Sequence, residues 1–188
     1  GTAFMQIAQQ LGVRVLGTDR EPKRSHIEAQ GGILIDFEHE DVVRRCRELT
    51  GGLGVDYAYD GIGATAPASL RALRPRGRLV WFGMITFLSQ GARDWRKTAT
   101  TLENVALAFA GNLRPGGKRT SLYSNQTLAR RHPDWYRQDV ATLFAMFADG
   151  KLAPQVGAIL SLDQVPAALA NLAGHGPPGK QVISLVPS

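Results

Sequence analysis

Two short hydrophobic runs in this chain end in glycine corners, and these are where a ligand could be handled: Asp60-Gly61-Ile62-Gly63 and Phe82-Gly83-Met84. Glycine lets backbone come close to a bound molecule, and the first run ends in the Asp60 carboxylate. A third polar group, Thr18-Asp19-Arg20 followed by Lys23 and Arg24, sets one carboxylate among cations. Other chemistries are poorly served. His26, His39, His132 and His175 are scattered, and none stands near Cys46 or a carboxylate at metal-ligand spacing, so no metal is expected. Ser121 and Ser124 flank Tyr123 without a nucleophile-elbow pattern. Tyr123 could protonate a reduced carbonyl, but a packed tyrosine on an edge strand is the plainer reading, and no acid or base is assigned.

The elements that must hold these corners alternate. Gly51–Met84 reads as strand (Val55–Asp60), glycine corner, helix (Ala66–Leu73, capped by Thr65 with Pro67 in its first turn), Pro75–Gly77 turn, strand (Arg78–Phe82) and a second corner. Upstream, an amphipathic helix over Gly1–Leu11 places Phe4, Ile7, Ala8 and Leu11 on one face. A strand at Val13–Thr18, a helix from Pro22 to about Gln30, a strand at Ile33–Asp36 and a helix at Asp41–Leu49 follow. Downstream come helices from Thr98 or Thr100 to Ala110 and from Asp134 to Ala148. The apolar set Val140, Leu143, Phe144 and Phe147 fits the latter. Strands are predicted at Arg119–Tyr123, Gln155–Leu160 and Gln181–Val186, with helices at Gln126–Arg131 and Asp163–Leu172. Serial strand–helix units imply parallel crossovers, a Rossmann-like α/β doubly wound sheet whose ligands sit outside the carboxyl ends of the strands. Both glycine corners fall at such ends.

Composition narrows the field. The 188 residues suit about one domain, and no apolar run approaches the roughly 20 residues that span a bilayer. One cysteine excludes an internal disulfide and fits a cytoplasmic protein. The net charge of +6 gathers in Arg71–Arg78, Arg93–Lys97, Arg114–Arg119 and Arg130–Arg131. No aromatic-interleaved nucleic-acid motif accompanies it, so the charge reads as solvated surface plus attraction for anionic ligands such as a phosphorylated cofactor.

A Rossmann-like sheet in the order 3-2-1-4-5-6 begins with a strand and a glycine-rich turn. Here the chain opens at Gly1-Thr2, as if inside that turn, and the interior strand would be missing. A piece of a longer protein is therefore the expectation.

In order and spacing, the chain resembles the medium-chain dehydrogenase/reductase superfamily, specifically its zinc-free, quinone-oxidoreductase-like branch. The stretches that carry the resemblance are Gly1-Thr2-Ala3, VRVLGT at 13–18, GGILIDF at 31–37, RELTGGLGVD at 47–56, DGIG at 60–63, LRPRGRLVWFG at 73–83, FADGKL at 147–152 and GKQVI at 179–183. It covers nearly the whole chain, with 86–133 matching loosely. It implies an NAD(P)H-dependent oxidoreductase that transfers hydride to a quinone, an enone or a related carbonyl compound. Residues 1–159 would form the cofactor domain, and 160–188 would return to an absent N-terminal catalytic domain. Gly1, Thr2 and Ala3 would face the pyrophosphate, with helix-start N–H groups attracting it. Thr18 and Asp19 would face the adenosine ribose, where a carboxylate favours NADH, while Arg20 and Lys23 favour NADPH. Phe37 would lie near the adenine. Asp60, Gly61, Ile62, Gly63, Phe82, Gly83 and Met84 would run beside the nicotinamide and its ribose. A homodimer joined through the Arg119–Tyr123 edge is implied as well. Two alternatives remain: a relative of zinc-type alcohol dehydrogenases, and a non-catalytic Rossmann module for dimerisation or cofactor sensing.

Overall fold

A computed structural model describes residues 1–83, 95–172 and 179–185. Met84 lies outside the described residues. The elements are α1 (Thr2–Gln10), β1 (Val15–Asp19), α2 (Arg24–Ala29), β2 (Gly32–Asp36), α3 (Val42–Leu49), β3 (Val55–Asp60), α4 (Ala66–Ala72) and β4 (Leu73–Trp81). They continue with α5 (Trp95–Ala110), β5 (Arg119–Leu122), α6 (Asn125–Arg131), α7 (Pro133–Ala148), β6 (Val156–Leu160), α8 (Val165–Leu172) and β7 (Lys180–Ile183). The chain divides into two compact units, Gly1–Asp36 with Arg137–Ser188, and Phe37–Tyr136.

In Phe37–Tyr136, β3, β4 and β5 form a parallel sheet in that order. Leu79 and Trp81 of β4 point to one face and pack with Ala66, Leu73 and Ala108, with Val55, Ala58, Leu70 and Val105 around them. The β3–β4 register breaks after Val55↔Leu73 and resumes at Tyr57↔Arg78, which absorbs the Pro75–Gly77 turn into the strand. Asn112 fixes β5 through a two-way amide clamp on the Thr120 backbone (2.7 and 2.8 Å), and the Thr120 hydroxyl donates to the Ala108 carbonyl at 2.6 Å. Asp41 caps α3 by accepting the Arg44 N–H at 2.8 Å, a bond that holds its pKa below the ordinary carboxylate value.

In the other unit, β1 and β2 are parallel, with Asp19 opposite Asp36, and β6 and β7 form a second parallel pair. Met5, Ile27 and Leu34, with Val15, make the core of the first pair. The Gln6 amide exchanges two 3.1 Å bonds with the Ala153 backbone, tying α1 to the segment before β6.

Several expectations shift. The buried positions of α1 are Met5 and Ala8, while Phe4 and Leu11 are exposed. The helix expected from Pro22 divides into a 3-10 turn (Glu21–Lys23) and α2. The helix expected from Asp134 to Ala148 is α7, and Leu143, Phe144 and Phe147 on it are exposed. The parallel pairing within each of these sheets is that of a Rossmann-like α/β fold.

Candidate functional site

Asp60 closes β3 and is 3% exposed. One carboxylate oxygen accepts the Ile62 and Gly63 N–H groups, both at 2.9 Å. The other accepts the Thr65 hydroxyl at 2.8 Å and the Ser69 hydroxyl at 3.0 Å. All four bonds stay inside the protein. Asp60 therefore shapes the corner and anchors the start of α4, and its side chain is taken up by the fold rather than offered to a ligand.

The second corner lies against the first. The Phe82 N–H donates to the Asp60 carbonyl at 3.0 Å, continuing the β3–β4 pairing past Trp81. A Cβ on Gly83 would stand 2.5 Å from the Gly61 carbonyl oxygen, so Gly83 is required by proximity rather than by backbone angle. Gly63 has φ +89° and lies against the Trp81 ring, where a Cβ would be 3.1 Å from the indole. The buried Trp81 indole N–H donates to the Gly83 carbonyl at 2.6 Å. Phe82, 55% exposed, lays its ring over Gly61, and the Ile62 side chain is 49% exposed. Tyr123 sits at the same end, its N–H donating to the Trp81 carbonyl at 2.8 Å. The structure thus brings Asp60, Gly61, Ile62, Gly63, Phe82 and Gly83 together. Trp81 and Ser69 escaped the sequence reading, and Thr65, expected to cap α4, makes no side-chain cap bond and donates its hydroxyl to Asp60 instead. The four-residue step from Thr65 to Ser69 was the available signal, because it stacks both hydroxyls on one face of a helix start.

Phe37, the first residue of this unit, is exposed immediately after β2. In the other unit, Gly1 caps α1 without any side-chain capping bond or acidic residue in the first turn, which includes Thr2 and Ala3. The Thr2 hydroxyl and His26 Nε2 are 3.2 Å apart. Thr18 is exposed, and Asp19 is half-buried. Oδ1 of Asp19 accepts the Arg20 N–H at 2.9 Å. Its other oxygen has no protein partner among the described residues, which suits a carboxylate facing ribose hydroxyls. Glu21 grips Arg24 at 2.7 and 2.8 Å and Glu28 adds a bond at 3.2 Å, raising the Arg24 pKa further above its ordinary value. Arg24 is thereby withdrawn from ligand duty. Half-buried Lys23 has no ion pair among the described residues.

Parallel strands that end in glycine corners place the chain among the α/β dehydrogenases. It belongs to the zinc-binding dehydrogenase family, whose model matches residues 1–114, and within it to the quinone-oxidoreductase-like medium-chain dehydrogenases/reductases. It is 42% identical over 86 residues to a quinone oxidoreductase of Pseudomonas aeruginosa, a match covering 44% of this chain and 26% of that protein. It is 29% identical over 191 residues to the mycoketide-CoA synthase of Mycobacterium tuberculosis, covering 100% of this chain and 4% of the synthase. Among solved structures, a Pseudomonas syringae quinone oxidoreductase superposes with a TM-score of 0.74 at 26% identity, covering 97% of this chain and 52% of that one. A mycobacterial protein complexed with NADPH gives 0.73 at 26% identity, covering 97% and 53%. The chain spans about half the length of these solved relatives.

The family's description names zinc, and the donor set here does not fit it. Among the described residues, no three His, Cys, Asp or Glu side chains gather to hold a metal ion. Cys46 is buried in α3, where loss of solvent pushes its thiol pKa up, and the His132 ring stacks on Trp135 at 4.1 Å. Among the described residues, no helix is long and apolar enough to cross a membrane.

Proposed function

We propose that this chain carries the nicotinamide-binding part of an NAD(P)H-dependent oxidoreductase, with NADPH the preferred cofactor. The observation that carries the reading is the contact of the two glycine corners. Gly83 lies so close to the Gly61 carbonyl that it has no room for a side chain, and Gly61 itself carries none, which leaves bare backbone beside exposed Phe82 and Ile62. NADPH, when bound, supplies a hydride to an electron-poor carbon, such as a quinone ring or the β-carbon of an α,β-unsaturated carbonyl compound; the displaced electron pair moves to the carbonyl oxygen and a proton completes the product. The chain's own work is to orient. Gly61 and Gly83 set the depth of approach, Phe82 and Ile62 give an apolar wall, and Thr2, Ala3, Asp19, Arg20 and Lys23 meet the polar and phosphate groups. Lys23, without an ion pair among the described residues where Arg24 is committed, supports NADPH over NADH. Residues 160–188 return to a second domain that supplies further substrate contacts, a reading supported by the half-length match to solved relatives.

Among α,β-unsaturated acceptors, an enoyl thioester reduced at its β-carbon is the one set against a quinone in the test below. A homodimer formed through β5 is proposed too, because β5 pairs with β4 and with no other strand among the described residues.

The test is fluorescence titration of the purified chain with NADPH and NADH in parallel. Saturable binding, tighter for NADPH, is expected. A folded sample that binds neither would overturn the reading. With cofactor bound, a quinone and an enoyl thioester compared as oxidants separate the two acceptor classes.

A further inference from the structure

We infer that the cleft between α3 and α4 is a second anion site, built to take the phosphate group of a small phosphorylated ligand and separate from the glycine corners. The cleft encloses about 470 Å³ and is lined by Asp41, Val43, Arg44, Arg47, Glu48, Gly52 and Arg71. It lies at the far end of the same strand and helix. Asp60 and Thr65 close one end of β3 and open α4, whereas Gly52 precedes β3 and Arg71 lies in the last turn of α4. Six strand residues separate the two ends by on the order of 15 Å.

The charges there do not cancel locally. The carboxylates are already engaged. Asp41 accepts the Arg44 N–H at 2.8 Å, and Glu48 is shared between Arg45 at 3.1 Å and Arg44 at 3.7 Å. Arg45 also reaches Glu40 at 3.2 Å, and Arg74 takes Asp56 at 2.6 Å. Arg47 and Arg71, by contrast, have no ion pair among the described residues. Among the described residues Arg47 donates to the Arg71 carbonyl, at a long 3.5 Å, and the carboxylate that feels the Arg71 charge, Asp41, is already bonded to the α3 backbone. A further cation closes on the group: Lys118 Nζ donates to the Leu70 carbonyl at 2.5 Å. Burial lowers its pKa, and the like charge of Arg47 lowers it further. The last carbonyls of α4 account for one bond from Lys118 and one weak bond from Arg47. They leave the Arg71 guanidinium and most of the Arg47 donors unused. Two forked guanidiniums at a cleft of this size match the oxygens of a phosphate group, and a dianion would relieve the repulsion among the cations.

The experiment is a thermal-shift and calorimetric titration of the full chain with inorganic phosphate and with glycerol 3-phosphate, at ionic strength matched with chloride and with NADPH saturating. Stabilisation by phosphate that persists under NADPH is expected, with the affinity falling at least tenfold in Arg47→Gln/Arg71→Gln while NADPH affinity is unchanged. Tighter binding of the ester than of free phosphate would mark an organic ligand. Absence of phosphate binding above the chloride control, unaltered binding in the double variant, or competition between phosphate and NADPH would each overturn the inference. If the pair fails to fold, Arg71→Gln alone carries the same comparison, since its side chain is exposed.

Discussion

Replacing Gly83 by alanine tests the reading of the paired corners most directly. The added Cβ would meet the Gly61 carbonyl oxygen at 2.5 Å, short of an ordinary carbon–oxygen contact by roughly 0.7 Å. Both partners are backbone, so relief requires the ends of β3 and β4 to part, against the Phe82–Asp60 bond and the Trp81–Gly83 bond. Insertions of this kind cost about 1–3 kcal/mol, which corresponds to a fall in Tm of about 3–10 °C for a chain of this length. The NADPH Kd should rise about tenfold, because the approach surface itself is displaced. Two other glycines grade the effect. At Gly61 the added carbon meets the Phe82 ring at 2.9 Å, and that exposed side chain can swing away. At Gly17 the nearest atom is an Ile27 methyl at 3.6 Å, ordinary contact. Differential scanning calorimetry with NADPH titration should therefore rank Gly83→Ala worst, Gly61→Ala intermediate and Gly17→Ala near the parent. If Gly83→Ala matches Gly17→Ala in both measurements, the argument from close approach fails.

Asp60→Ala strands two backbone N–H groups and two hydroxyls at the corner, and urea unfolding should show a loss of about 2–4 kcal/mol. Lys23→Gln should weaken NADPH several-fold in a fluorescence titration while leaving NADH nearly unchanged; equal effects on both would remove Lys23 from the 2′-phosphate. The cap bond from Asp41 lowers its pKa in the folded protein, so its stabilising contribution is present above the unfolded carboxylate value and disappears as pH falls through the folded one. Asp41→Asn should accordingly flatten part of the loss of Tm below pH about 4. Ser121→Lys on β5 should shift the sedimentation coefficient from dimer to monomer if that edge joins two copies.

Much of the scaffold was legible because its punctuation is chemical. β3 ends at Asp60 as read, and α3 starts one residue after the cap at Asp41. The strand at Val13–Thr18 moved to Val15–Asp19, taking the carboxylate into the ladder opposite Asp36. Pro22 marked a helical start correctly, but a 3-10 turn intervened before the α-helix, a distinction that periodicity over three residues cannot draw. The apolar set on α7 was read as fitting a helix, which it does, although Leu143, Phe144 and Phe147 are exposed. Spacing reports an apolar face without saying what covers it. At the corners, the glycines were visible by type, while the inward bonding of the Asp60 carboxylate was not. A carboxylate at a strand end looks the same in sequence whether its acceptors face a ligand or its own helix.

That inward-facing carboxylate bears on how this scaffold can change over time. The corner is braced wholly from behind, by the Asp60 carboxylate and the Trp81 indole, and Ile62 contributes its backbone N–H to that brace. The exposed side chains of Ile62 and Phe82 are left outside it. Substitution at those two side chains should therefore leave the bracing of the corner in place. Drift at Asp60, Gly83 or Trp81 would forfeit the frame along with the function. Constraint and evolvability are thus divided between the two faces of one loop.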